Sequence, residues 1–95
     1  MLIRNNTISD GDIVTIKLVG GDEVITKLVN FNDLEIKQPL LVMMAQQGFG
    51  LMPYILTADP KTTIHISNNH VITITKTLEE VAKEYIKQTT GLIIA

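Results

Sequence analysis

Residues 13 to 31 read IVTIKLVGGDEVITKLVNF, and this stretch decides the fold class. Apolar and polar side chains alternate from Val14 to Leu18, which is the pattern of a strand with one buried face. The Gly-Gly-Asp segment at 20–22 offers the positive-φ freedom of a tight hairpin turn. From Glu23 to Phe31 both alternating sets are largely apolar: Val24 and Leu28 in one, and Ile25, Val29 and Phe31 in the other. The stretch therefore predicts an antiparallel β-hairpin whose second strand is covered on both faces.

Polar bends divide the next part of the chain into further short strands. After a bend at 30–33, apolar and charged residues alternate from Leu34 to Lys37. Pro39 cannot donate to a strand ladder, so it marks an edge or a bend. Two apolar runs flank the segment at 46–50 and predict a second hairpin. The methionines of this region, Met43, Met44 and Met52, are expected in the core or at an interface.

A third pair of strand-like runs, IHISNNHVITI, occupies residues 64–74. Asparagine accepts a positive φ better than other non-glycine residues, so Asn68 and Asn69 are predicted to form a two-residue hairpin turn. His70 is expected to be exposed or paired across strands, with base stacking as the alternative.

A helical period appears only after residue 76. Thr77 and Glu80 have the spacing of a capping box, in which the threonine hydroxyl accepts from the Glu80 amide. Gly91 is suited to end the helix, which we expect over residues 78–90. The apolar segment 92–95, LIIA, is expected to pack within the subunit or against a neighbour. A stripe with a period of about 3.6 residues is predicted to face the sheet; its members are Leu78, Val81, Ala82, Tyr85 and Ile86.

Composition limits the class of protein. A chain of 95 residues forms one domain, 1–95, whose core buries only about 60 to 65% of the unfolded surface, so partners would add stability. The formal charge of −2 excludes a whole-chain basic field that attracts nucleic acid or an anionic membrane. Without cysteine there is no disulfide framework, and no apolar run reaches the roughly 20 residues of a membrane span. We therefore expect a soluble, cytoplasmic protein.

Residues with catalytic or metal-binding chemistry are few. Ser9 and Ser67 lack a histidine and a carboxylate at the spacing of a nucleophilic triad. No glycine-rich phosphate loop with a Gly-Lys signature occurs. His65 and His70 share a face in the expected register, but two ligands without a third carboxylate are too few for a typical zinc site. We therefore expect that the protein is not an enzyme and that it binds no cofactor and no metal.

Two segments resemble the motifs of a known family. Residues 21–32 carry Gly-Asp-Glu-Val, then Leu28, then Asn-Phe-Asn, which is similar to the first Sm motif, a glycine turn and an apolar strand that ends in Gly-Phe-Asp. Residues 66–71, Ile-Ser-Asn-Asn-His-Val, with Ile74, are similar to the second Sm motif, Ile-Arg-Gly-Asn-x-Ile-x-x-Ile. Over residues 12–76 the chain therefore resembles an Sm-like protein of the LSm and Hfq class, in particular the divergent members from phages.

The resemblance implies a mainly β, Sm-like fold: a strongly bent, five-stranded antiparallel sheet, or small open barrel, with one C-terminal α-helix. In such proteins the sheet edges pair between subunits and close a homo-oligomeric ring, of about five to seven subunits. Two loops line the pore and bind single-stranded, usually uridine-rich, RNA. For a phage protein the compartment is the host cytoplasm. The loops correspond to Asn32 and Asp33, and to Ser67, Asn68 and Asn69 with His70 adjacent.

Two departures from the family pattern leave two functions open. Where the family has Arg-Gly, this chain has Ser67-Asn68, which removes a cation that pairs with phosphate and stacks on bases. The first loop is short, residues 30–34, and has no counterpart of the family's base-stacking residue. Without that cation, amide side chains around a pore are able to form hydrogen bonds with the edges of bases. We therefore expect either a ring that binds single-stranded RNA, or DNA, and acts as an RNA chaperone or in RNA or DNA processing, or a structural or adaptor ring that binds another protein.

Overall fold

The computed structural model describes residues 8–91 of the chain. The strands are β1 (Ile13–Leu18), β2 (Glu23–Asn30), β3 (Glu35–Ala45), β4 (Gly48–Pro53), β5 (Thr63–His65) and β6 (Val71–Lys76), and the helix is α1 (Glu79–Gly91). All strand pairs are antiparallel, in the order β4-β3-β2-β1-β6, and β5 also pairs with β3. The prediction of a mainly β protein with an antiparallel sheet and a C-terminal helix is thus confirmed.

The β1–β2 hairpin forms as predicted. Ile16 lies opposite Val24 in the antiparallel register. The amide of Leu18 donates to the carbonyl of Asp22 over 2.9 Å. Gly21 has a φ of 103°, which residues with a Cβ rarely adopt. The turn is therefore tight because glycine occupies this position.

Both faces of β2 are covered, as its sequence predicts. On one face Val24 and Leu28 belong to the larger apolar cluster, which also contains side chains of β1, β3 and β6. On the other face Ile25 packs with Leu40 and Tyr85 in a second cluster. β2 is thus the strand through which the two parts of the core are joined.

A bulge in β3 bends this strand at Pro39. Between Ile25 and Lys27 of β2 the register shifts, so that β3 carries one residue more than β2. Gln38 takes a left-handed backbone conformation with a φ of 51°, and Pro39 has no amide to donate. The sequence predicts an edge or a bend at this proline, and the structure has the bulge there, with the strand continuing on both sides of it.

Two hydroxyl groups bond the carbonyls at the bulge. The Thr26 hydroxyl, on a fully buried side chain, donates to the carbonyl of Lys37 over 2.7 Å. The Tyr85 hydroxyl lies 3.0 Å from the carbonyl oxygen of Lys37 and 2.9 Å from that of Gln38. Burial raises the pKa of Tyr85 to about 12, so its hydroxyl is a protonated donor at neutral pH. Helix α1 is therefore attached to the bend by hydrogen bonding as well as by packing.

β3 and β4 form the predicted second hairpin, but its methionines are not core residues. The turn consists of residues 46 and 47. Met43 is 45% exposed, Met44 is 84% exposed and Met52 is half-buried. Because β2 pairs with β3 only as far as Leu41, the hairpin extends beyond the sheet and its tip is not covered by β2.

The third predicted hairpin is wrong. β5 pairs with β3 and β6 pairs with β1, so the two runs of IHISNNHVITI do not pair with each other. A short 3-10 turn, Asn68–His70, connects them. Ile64, Ile66 and Val71 nevertheless pack against the same larger cluster. Strands from both sides of the sheet thus contribute to one core.

Helix α1 begins one residue later than the capping box predicts. The amide of Ala82 donates to the carbonyl of Leu78 over 2.8 Å, which makes Leu78 the residue before the first turn. The Thr77 hydroxyl pairs with the hydroxyl of Thr15 at 2.9 Å instead of capping Glu80. Thr77 therefore ties the start of the helix to β1. Within residues 8–91 no helix is long and apolar enough to cross a membrane.

The predicted apolar stripe of α1 is only partly buried. Tyr85 is 2% exposed, and Val81 and Ala82 are half-buried. Leu78 and Ile86, however, are 76% and 48% exposed. Leu78 precedes the first helical turn, and Ile86 lies about 100° around the helix from Tyr85, so both fall outside the narrow contact with the sheet. The predicted packing of the segment 92–95 lies outside the described residues.

Replacing Tyr85 by phenylalanine removes one hydroxyl and keeps the apolar ring. We expect Tyr85→Phe to lower the free energy of unfolding by about 1 to 2 kcal/mol, because a bulge carbonyl loses its donor inside the protein. Urea denaturation measures the change. Tyr54→Phe, at a side chain that is 38% exposed, is the control and should change stability little. Equal, small effects of both variants would contradict the role of the Tyr85 hydroxyl.

Candidate functional site

The β2–β3 turn presents the first pair of candidate residues, Asn32 and Asp33. Leu34 donates its amide to the carbonyl of Phe31 over 3.0 Å and has a left-handed φ of 48°. The carboxylate of Asp10 accepts the amide of Phe31 at 3.0 Å. Both candidate side chains are exposed. They are therefore presented at the surface by a backbone that hydrogen bonds hold in place.

Phe31 anchors this turn in the core. Its side chain is 7% exposed and belongs to the larger apolar cluster. The expectation that it lies on the face of Ile25 is wrong, because β2 ends at Asn30 and the chain turns there. A buried ring of this kind supports the turn and does not stack on a base.

The second group of candidates, Ser67, Asn68, Asn69 and His70, lies in the connection from β5 to β6, and all four are exposed. The Ser67 hydroxyl accepts the Asn69 amide at 3.3 Å, and the Ser67 carbonyl accepts the His70 amide at 3.0 Å. Within residues 8–91 the non-glycine residues with positive φ are Leu34 and Gln38. The predicted positive-φ turn is therefore wrong, because Ser67 acts as an N-cap.

The structure brings the two candidate segments against each other. The amide of Ile66 donates to the carbonyl of Leu34 over 3.1 Å. Nδ1 of His65 lies 3.3 Å from the carbonyl oxygen of Asp33. Ser67, the first candidate of the second group, comes directly after Ile66 in the chain. The β2–β3 turn and the start of the β5–β6 connection thus meet at the level of the backbone.

His70 lies at the other end of the connection, beside the β1–β2 hairpin. Its carbonyl accepts the amide of Val19 over 2.8 Å. A cavity of about 390 Å³ is lined there by His70, Asp22 and Tyr54 among others. Burial, and then the nearby carboxylate of Asp22, raise the pKa of Tyr54. The sequence indicates Asp22 only as a turn residue, and nothing in it indicates Tyr54, whose position depends on the path of the chain after β4.

The chemistry of the candidate segments is polar but not basic. Residues 31–34 and 67–70 include no lysine and no arginine. Beside them, Nε2 of His65 lies 3.6 Å from Oε2 of Glu35, which also accepts the hydroxyl of Thr63 at 3.1 Å. In the part of the chain that the structure describes, no three His, Cys, Asp or Glu side chains are grouped to hold a metal ion. The segments therefore offer amide and hydroxyl groups for hydrogen bonding.

Comparison with known proteins does not assign the site. No protein-family model matches the chain, and no curated protein matches its sequence. The functional conclusion therefore depends on the residues of the site and their geometry.

Replacing Asn69 by glycine tests the backbone of the connection. Because Asn69 does not have a positive φ, glycine relieves no strain there and adds freedom to the unfolded chain. We expect Asn69→Gly to lower the free energy of unfolding by about 0.5 to 1 kcal/mol. The control is Gln38→Gly, at a φ of 51°. There glycine also adds freedom to the unfolded chain, but it removes the cost of a left-handed backbone, and the two effects offset each other. Thermal denaturation measures both, and a higher Tm for Asn69→Gly would refute the 3-10 turn.

Proposed function

We propose that the protein is an Sm-like, ring-forming protein of the phage type that binds single-stranded RNA, or DNA, without catalysing a reaction. The observation that carries the proposal is the 3.1 Å hydrogen bond from the Ile66 amide to the Leu34 carbonyl, which holds the two motif-like segments together. The residues assigned to the ligand are Asn32, Asp33, Ser67, Asn68 and Asn69, with His70 adjacent.

The strand arrangement supports the Sm-like relationship. The β3–β4 hairpin lies between Pro39 and Pro60, the part of the chain in which Sm proteins vary. Without this hairpin five antiparallel strands remain, which are β1, β2, the first part of β3, β5 and β6. The candidate loops then follow the second strand and separate the fourth strand from the fifth, as the resemblance implies.

Open strand edges support assembly into a ring. Within residues 8–91, β5 pairs with β3 alone and β6 pairs with β1 alone, so each has one edge without a partner strand. Ile72 of β6 is also 60% exposed. Exposed edges are templates for further strand pairing, and pairing with identical copies covers two edges of every subunit once the ring closes.

Hydrogen bonding to bases is the mode of binding that the side chains support. Asparagine presents both donors and an acceptor, as base edges do. The candidate segments supply no cation for phosphate, and the chain as a whole carries a charge of −2. In a ring each side chain recurs once per subunit, so weak bonds to successive nucleotides add up. We therefore propose that the ring reads bases and has few phosphate contacts.

A second candidate function is an adaptor ring that binds another protein. The observation that favours it is the uncharged stretch at 38–58, which contains 21 residues in succession without Asp, Glu, Lys or Arg. In this stretch Met44 is 84% exposed and Leu56 is 72% exposed. Apolar surface of this kind is typical of protein interfaces.

Assembly is tested by light scattering at micromolar concentration. We expect a single species of about five to seven times the 10.5 kDa subunit mass. Ile72→Lys places a charge beside the open edge of β6 and should dissociate the ring while circular dichroism stays unchanged. Leu56→Lys, at an exposed side chain outside the strands, is the control and should stay assembled. A monomeric wild-type protein would refute the ring.

Nucleic-acid binding is tested with short uridine-rich, adenine-rich and single-stranded DNA oligonucleotides. We expect the double variant Asn68→Ala/Asn69→Ala to lose more than tenfold in affinity, because each lost hydrogen bond is worth about 0.5 to 1.5 kcal/mol and recurs in every subunit. Gln46→Ala/Gln47→Ala removes two exposed amides from another turn and should bind normally.

The salt dependence of the same titrations separates base reading from phosphate pairing. Log affinity falls with log salt by about 0.7 for each phosphate contacted on a single strand. A base-reading ring should therefore show a shallow slope. If no oligonucleotide binds, or if the double variant binds unchanged, the adaptor function replaces the RNA-binding one.

A further inference from the structure

The cavity beside His70 combines apolar walls with a few polar side chains. Its volume, about 390 Å³, is in the range of sites that hold a small molecule. The apolar part of the lining consists largely of side chains that belong to the larger cluster or pack against it, among them Leu18, Ile36, Ile64 and Ile66. A compact ring system is therefore a suitable occupant.

Backbone hydrogen bonds fix two sides of the cavity. The amide of Val19 donates to the carbonyl of His70 over 2.8 Å, which joins the β1–β2 turn to the β5–β6 connection. The amide of Tyr54 donates to the carbonyl of Pro39 over 2.9 Å, which holds the segment after β4 against the bend of β3. All these residues line the cavity, so its shape is set by the fold of the backbone.

Asp22 supplies a carboxylate to the cavity. Its side chain is exposed, and within residues 8–91 it forms no ion pair. Its neighbour in the cavity is Tyr54, which is 38% exposed and whose pKa is raised by burial and then by this carboxylate. An ionised carboxylate only accepts hydrogen bonds, and it does so at two oxygens. The cavity therefore presents a pair of acceptors beside an aromatic ring.

The two histidines of the lining differ in their contacts. In His65, Nδ1 lies 3.3 Å from the carbonyl oxygen of Asp33 and Nε2 lies 3.6 Å from Oε2 of Glu35. The ring of His70 is exposed and has no hydrogen-bond partner among residues 8–91. Because His70 comes directly after Asn69, the cavity begins where the residues assigned to nucleic acid end.

Among the four bases of RNA, guanine matches this arrangement. Its Watson–Crick edge carries two adjacent donors, the ring N–H and the 2-amino group, which the two oxygens of one carboxylate accept side by side. Adenine and cytosine have a ring nitrogen acceptor next to their amino group, and uracil has a carbonyl on each side of its ring N–H. Each of these three bases would therefore turn a lone pair toward the Asp22 carboxylate.

We infer that this cavity binds a guanine base, with Asp22 accepting from its Watson–Crick edge and Tyr54 stacking on its ring. The inference rests on the proposed function for the source of the base, which belongs to the strand held by Asn68 and Asn69. It adds a preference for guanine at one position of that strand, next to the bases that the amide side chains bind.

Free nucleosides test the cavity without an RNA strand. In NMR titrations of the isotopically labelled protein, we expect guanosine to shift the amide signals of Val19 and Tyr54. Inosine lacks the 2-amino group and should bind about fivefold more weakly, because one hydrogen bond is lost. Uridine should leave both signals unchanged. Absence of a shift with guanosine, or equal affinity for guanosine and inosine, would overturn the inference.

Two matched variants show whether the carboxylate is responsible. Asp22→Asn should remove the response to guanosine, because the asparagine amide places a donor where guanine also has one. Glu23→Gln removes the same charge from the next residue, which is exposed and does not line the cavity, and it should respond like the wild-type protein. Equal responses of the two variants would contradict the role of Asp22.

Oligonucleotides separate this inference from the proposed function. A uridine-rich oligonucleotide with one guanosine should bind about tenfold more tightly than its all-uridine counterpart, and Asp22→Asn should abolish the difference. If guanosine binds and no oligonucleotide does, the strand-binding function fails and the guanine site remains. If oligonucleotides bind equally with and without guanosine, the inference fails and the proposed function remains. Binding of arginine amide in place of guanosine would overturn the inference and assign the cavity to an arginine side chain of a protein partner.

Discussion

Two hydroxyl groups hold the bend of β3, and the placement of the other elements depends on this bend. A strand that gains one residue and a proline loses ladder hydrogen bonds, so its carbonyls need other partners inside the protein. Thr26 from β2 and Tyr85 from α1 provide those partners. A buried carbonyl without a donor costs about 1 to 3 kcal/mol. The sheet and its helix are therefore fixed to each other at the point where the strand departs from regularity.

The bend divides β3 into two parts with different partners. Before it, residues 35–37 pair with β5, and this pairing continues into the contact between Ile66 and Leu34. After it, residues 40–45 pair with β4 and form an uncharged hairpin. The polar candidate segments thus belong to the first part, and the exposed methionines Met43 and Met44 belong to the second. One strand positions two surfaces of opposite chemistry.

Sequence predicts those features of the fold that depend on one local requirement. A glycine turn between alternating runs specifies the β1–β2 hairpin, and two apolar sets specify the double cover of β2. The partner of β5 is not predictable in this way, since alternating runs look the same whether they pair with each other or with distant strands. Asn68 and Asn69 are wrongly predicted as a hairpin turn for a similar reason. A capped 3-10 turn and a hairpin turn use the same polar residue types. At the candidate site the side chains are visible in the sequence, whereas the contact between Ile66 and Leu34 and the position of Tyr54 depend on the path of the chain in space.

The pairing of β6 with β1 joins the last strand of the sheet to the first. Contacts between distant parts of a chain form late, because the intervening residues lose their freedom before the contact repays it. On the ribosome β1 emerges well before β6 has been made. The nascent chain therefore exposes the edge of β1 during an interval in which other copies are being synthesised nearby on the same message. Until its own β6 has paired with it, the edge of β1 is open to another copy of the chain, and any delay favours pairing with the wrong copy.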